Sequence, residues 1–132
     1  MAWEAPLMCY SGIIAGADLS AAGNQYKFVK WSADRTVVLC NGVTDIPCGV
    51  LQNTPASGDA ATVGFLGVSK VQGDADLAAG NSIGTSSDGQ AAIYTVADTT
   101  KHIVGSVIFG NSAAGGYATC AINCITHRAN IA

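Results

Sequence analysis

The sequence predicts an all-β fold, a small barrel or sandwich-like domain built from a pseudo-repeated unit. Three observations carry this. First, residues 46–71 align without a gap on residues 103–128, at a spacing of 57. Six of those 26 positions are identical: Ile46/Ile103, Val50/Val107, Ala56/Ala113, Gly58/Gly115, Ala61/Ala118 and Thr62/Thr119. Second, short β-prone runs recur between Gly, Asn and Asp turns, the spacing of an all-β domain. Third, no long helical period runs through the chain; alanine permits at most short helices at 16–22 or 75–79.

The chain of 132 residues is one domain by length. Its first eleven residues form an apolar arm, and 12–132 form a single β domain with pseudo-repeats at 12–71 and 69–128. In the arm, Trp3, Pro6, Leu7, Met8 and Tyr10 are apolar, and Pro6 disfavours a helix. A disordered tail is normally polar. The arm is therefore expected to dock, either on its own domain or on a neighbouring molecule.

The next elements follow in order. Residues 12–24 start a short strand and a turn, Asp18-Leu19 to Gly23-Asn24. That turn is echoed at Asp76-Leu77 and Gly80-Asn81, where Gly or Asn can take positive φ. Tyr26 to Trp31 is a strand; period two puts Tyr26, Phe28 and Lys30 on one face and Lys27, Val29 and Trp31 on the other. Residues 32–35 turn it back into 36–40, and Asn41-Gly42 is a turn signal. The second unit repeats this as strands over 82–85 and 90–94 about an Asp88-Gly89 turn. Strands over 49–52 and 61–71 flank a polar loop, matched by 104–109 and 117–127. Gly64 and Gly67, inside the longer strand, mark bends or bulges.

Composition narrows function. Charged residues are only 11% of the chain, against about 25% in an average domain. A surface this poor in charge is expected to be covered in part by other subunits. Net charge is −3, with six Lys and Arg scattered along the chain. No basic stripe exists for phosphates, so nucleic acid is not an expected partner. No run of 18 apolar residues marks a membrane span, and the N-terminus does not read as a secretory signal. The five cysteines include no CxxC pair, which fits buried thiols in a reducing compartment.

No constellation carries chemistry well. Cys120, Cys124 and His127 have a ligand-like spacing, but in a strand His127 falls on the opposite face from the two cysteines. A structural zinc also needs a fourth ligand. Asp74 and Asp76 lack the six to eight oxygens of a calcium site. Ser106, Asp98 and His102 are near in sequence only, and no GxSxG is present. No catalytic residue, metal or cofactor is expected, and the chain does not read as an enzyme.

The order of elements resembles the small capsid decoration (cement) proteins of tailed bacteriophages. The resemblance rests on Gly49-Val50-Leu51-Gln52-Asn53 with Gly58, Val63, Gly67 and Val71. It continues through Ala79-Gly80-Asn81-Ser82-Ile83 with Asp88-Gly89 and Ala91, then Ile103-Val104-Gly105 with Gly115, covering roughly 12–125. It implies a virion protein, assembled in the host cytoplasm, that binds the capsid exterior and clamps neighbouring copies of the major capsid protein. It further implies a homo-oligomer, most often a trimer. The apolar arm, Trp3, Pro6, Leu7, Met8 and Tyr10, is the expected capsid or oligomer contact. Another virion module, from a tail or a fibre, is the second reading.

Overall fold

A computed structural model describes residues 6–95, 100–111 and 113–125, and the backbone of 128 and 129. The fold is all-β. The first half supplies β1 (Leu7–Tyr10), β2 (Ile14–Ala15), β3 (Phe28–Ala33), β4 (Thr36–Leu39), β5 (Gly49–Leu51) and β6 (Val63–Gln72). The second half supplies β7 (Ser82–Thr85), β8 (Ala91–Ile93), β9 (His102–Ile103), β10 (Gly105–Phe109), β11 (Tyr117–Asn123) and β12 (Arg128–Ala129). Neither proposed helix forms; a 3-10 turn covers Ala22–Asn24.

Ten strands join in one mixed sheet, ordered β2-β4-β3-β5-β6-β11-β10-β7-β8, with β1 paired to β6 off this path. A separate two-stranded ladder joins β9 to β12. Read outward from the centre, β6-β5-β3-β4 and β11-β10-β7-β8 have one pattern. At the centre β6 and β11 are antiparallel over seven residue pairs, and the last pair, Leu66 with Asn123, is 57 residues apart. A two-fold axis relating the halves would pass through that pair.

The expected barrel does not close. The sheet curls until the turn after β7 meets the start of β3, where Phe28 N donates to Gly89 O at 2.7 Å. That contact belongs to a turn, so no ladder links β8 to β3, and the sheet remains open. Gly89, at φ +84°, lies against this seam, and a Cβ there would come within 3.2 Å of the Phe28 carbonyl.

Burial explains the strand pattern. Phe28 and Val29 are consecutive, so they point to opposite faces, yet both are fully buried, as are Val50 and Leu51. The β3–β5 region is thus covered on both sides. On one side lies the main core, which joins Phe28, Val50 and Phe65 to Val71, Ile83, Val107 and Ile122. On the other lies a smaller core, where Ile13, Ala15 and Leu19 cover Val29, Val37, Leu51 and Val63. Segment 13–19 can cross this face because its backbone is laced on both edges. Ile14 N donates to Arg35 O, Gly16 N to Val37 O, and Ala15 N to Asp59 O, at 2.8–3.0 Å.

The turn reading holds at the repeated loop glycines. Gly58 and Gly115 take φ +84° and +83°, with open space around each missing Cβ. Gly80 also has positive φ, whereas Gly23 does not, because it sits in the 3-10 turn. Replacing Gly58 or Gly115 by Val is expected to lower stability by on the order of 1 kcal/mol or more, from backbone strain alone. A chemical denaturation curve checks this, and Asn at either position should lose less.

Asn41-Gly42 is organised by a carboxylate. Asp45 Oδ2 accepts from the Asn41 and Gly42 amides at 2.9 Å each and from Lys30 Nζ at 3.0 Å. Burial would raise the Asp45 pKa, but these donors outweigh it and hold the carboxyl below its ordinary value. A depressed carboxylate adds stability above its unfolded pKa and loses it as pH falls through the folded one. Asp45→Asn should therefore unfold more readily than wild type at neutral pH, by about 1 kcal/mol. The gap should shrink as pH falls below the usual carboxylate range, measured by urea melts along a pH series.

Candidate interaction surface

The interior glycines of β6 build the first part of this surface. A Cβ on Gly64 would meet the Leu7 side chain, with Cγ at 2.9 Å; one on Gly67 would fall on the Pro6 carbonyl and lie 2.9 Å from Leu7 Cα. The two glycines therefore make a shallow trough, and the arm lies in it as β1. Leu7 pairs with Gly67, Met8 with Leu66, Cys9 with Gly64 and Tyr10 with Val63, with a bulge between Met8 and Cys9. Val68 N donates to Pro6 O at 3.2 Å. Of the two docking alternatives for the arm, its own domain receives residues 6–10. Trp3 lies outside the described residues.

The side chains of β1 divide by face. Leu7 and Tyr10 pack against the main core, and Tyr10 also touches the smaller one. Met8 is 58% exposed. Tyr10 stacks on Phe65 with centroids 4.1 Å apart and meets Trp31 at 5.5 Å. Three rings thus run from the main core to the surface, ending at Trp31.

Trp31 itself was assigned the face of Val29, which is buried. It has that parity but is 45% exposed, because β3 continues past the edge of the smaller core. Shallow hollows flank it, one lined by Lys30, Trp31, Thr44, Asp45 and Ile46, the other by Trp31 and residues 32–35. Ile46 is 48% exposed. Trp31 and Ile46 were missed as contact candidates since their runs read as strand and turn; the only signal was a Trp near a strand end. A second exposed apolar group, Ile108, Phe109 and Tyr117, lies on β10 and β11.

The cysteines are not joined by disulfides. Cys120, on β11, and Cys124, just past its end, are both buried in the main core. Burial pushes the thiols of Cys40, Cys48, Cys120 and Cys124 up to about 12. Cys9 alone is exposed. A thiol reagent at neutral pH is expected to modify Cys9 rapidly in the folded protein, and the other four only after denaturant is added.

The remaining candidates stay dispersed. Among the described residues, no group of three His, Cys, Asp or Glu side chains could hold a metal ion. His127 and Asp98 lie outside the described residues. Asp74 has its pKa raised by burial and by the charge of Asp88, but its amide is tied to Ala91 O at 2.9 Å in a loop seam. Thus the most developed surface is the arm, the aromatic run and the Trp31–Ile46 patch.

No protein-family model matches this chain. No curated protein matches it either. A solved structure does: the head fiber gp8.5 N base of bacteriophage phi29. The TM-score is 0.63 at 18% identity, over 90% of this chain and 96% of that one. At that identity the likeness is one of fold.

Proposed function

We propose that the chain is a structural protein of a tailed-phage virion that sits on the outside of the head. There it holds neighbouring copies of the major capsid protein together, as a homo-oligomer with the trimer favoured. It acts through its surfaces, without catalysis. The observation that carries this is the fold shared over nine-tenths of the chain with a phage head-fibre base. The capsid-decoration resemblance in the sequence also favours a virion protein associated with the head.

The physics suits such a role. Cement spans subunit boundaries in many copies, so modest contacts add up across the shell. Interface cores are enriched in Trp, Tyr and Met and depleted in charge. Met8, Trp31 and Ile46 offer that chemistry, with the Lys30–Asp45 ion pair at the rim.

A second reading is the base of a head fibre, and the same fold likeness favours it about equally. One experiment separates the two. Purified protein is mixed with heads that lack it, and binding is followed together with the temperature of DNA release. Saturable binding with a raised release temperature is the cement outcome. Binding without that rise favours the fibre base. An absence of binding would sink both.

A further inference from the structure

We propose that Lys30 and Asn41 form a self-modification site, at which the lysine amine displaces the Asn41 side-chain amide and closes an isopeptide bond within the chain. The site lies away from the arm and its trough, at the turn that follows β4.

The backbone brings three polar side chains to one point. Lys30, on β3, stands opposite Val38 on β4. The residues before it are gripped by both ends of the turn segment. Cys40 N donates to Phe28 O at 3.0 Å, and Cys48 N to Val29 O at 2.8 Å. Between those anchors the chain folds back at Asn41-Gly42, where Asp45 N donates to Gly42 O at 3.1 Å. Lys30 Nζ thus reaches both arms of the turn. It donates to Asn41 Oδ1 at 2.8 Å and to Asp45 Oδ2 at 3.0 Å.

An amine, a carboxamide and a carboxylate in mutual reach are the parts of an amide transfer. The nucleophile is Lys30 Nζ. The electrophile is Asn41 Cγ, one bond beyond the oxygen that Nζ already touches. Holding the two groups together removes much of the entropic barrier to their reaction. Asp45 is the proton acceptor, at the distance a general base needs. Burial works to raise its pKa, but Lys30 and the Asn41 and Gly42 amides hold the carboxyl below its ordinary value. It is therefore ionised and able to take a proton.

The step balances without a co-reactant. Lys30 begins as an ammonium and gives one proton to the Asp45 carboxylate. The freed electron pair forms the bond from Nζ to Cγ. The bond from Cγ to Nδ2 then breaks. Nδ2 leaves as ammonium, carrying the proton held by Asp45 and a second one from Nζ. Asp45 ends as the carboxylate it began as, and nothing is oxidised or reduced.

An Asn-Gly pair also has a competing route, in which the glycine amide attacks the same carbon and gives a succinimide. Here the Gly42 N–H is engaged by Asp45 Oδ2 at 2.9 Å, while Lys30 Nζ sits on the carbonyl under attack. The arrangement favours the lysine. Its product would lock β3 to the turn beside the exposed Trp31 and Ile46.

This inference goes beyond the capsid reading and does not depend on it, since the test uses the chain alone. Purified wild-type protein is held folded at neutral and at mildly alkaline pH, then weighed intact and digested with trypsin. The expected result is loss of the mass of one ammonia, no cleavage after Lys30, and a branched peptide joining residues 28–35 to 36–70. A chain that keeps its full mass and is cut after Lys30 would overturn the proposal. So would loss of ammonia without the branched peptide, which is the succinimide outcome. Two variants then assign the roles. Asn41→Asp removes the leaving amide and should give no branched peptide. Asp45→Asn removes the proton acceptor and should slow linkage by about a hundredfold or more. Linkage at the wild-type rate in either variant would overturn the role given to that residue.

Discussion

Phe28→Ala is expected to destabilise the protein by about 3–5 kcal/mol, the largest effect of a single truncation. Phe28 is fully buried and belongs to the core shared by both halves. Its amide donates to Gly89 O at 2.7 Å and its carbonyl accepts from Cys40 N at 3.0 Å. The residue therefore sits where the curled sheet comes back on itself. Removing the ring leaves a cavity at that seam, which β3 cannot collapse into while both backbone bonds hold. At this chain length the melting temperature should fall by on the order of 10 °C or more. Phe28→Leu should lose much less. A loss under 1 kcal/mol in urea melts would show that the seam relaxes and that the halves are less coupled than the packing implies.

Gly67→Ala is expected to cost about 2–4 kcal/mol through two separate causes, backbone strain and overpacking. Gly67 has φ +131°, where L residues are strained. The new methyl would also occupy the space of the Pro6 carbonyl. The second cause predicts coupling with the arm. Deleting residues 6–10 should destabilise wild type, because Leu7 and Tyr10 lose their burial and Phe65 its stacked partner. The same deletion in Gly67→Ala should cost less, since the arm is already displaced. A double-mutant cycle measures this, with an interaction energy expected near 1 kcal/mol or above. Strict additivity would contradict the seating of the arm on that glycine.

Much of the strand order was readable because period two and turn chemistry are local. Thr36 to Leu39, Gly49 to Leu51 and Ser82 to Thr85 lie within the expected runs, bounded by Asp, Asn and Gly. The matched loops at Gly58 and Gly115 share positive φ, as their common turn residues required. Gly64 and Gly67 were read as marking bends or bulges, and the β1–β6 register does skip Phe65 between them; that the arm lies on them was not legible, because it is more than fifty residues away in sequence and leaves no local mark. Gly23 and Gly80 look alike in sequence but differ in conformation, since only one falls in a 3-10 turn.

The candidate surface was half legible. The apolar character of Pro6, Leu7, Met8 and Tyr10 announced that the arm docks, while the inward turn of Leu7 and Tyr10 depends on a bulge at Met8–Cys9. Trp31 followed its predicted parity yet ended half in solvent, because parity gives a side and not the extent of the core above it.

By itself the sequence determined the all-β class, the positions of most strands, most of the turn glycines and the lack of a basic stripe or of an apolar run of 18 residues. These follow from short-range sterics and from charge, which each residue carries wherever it lies. Only the tertiary structure decided that the sheet stays open, that its first half is buried on both faces, and that the arm lies in the trough of β6. Those outcomes depend on which distant surfaces meet, and burial is a property of the meeting, not of either segment alone.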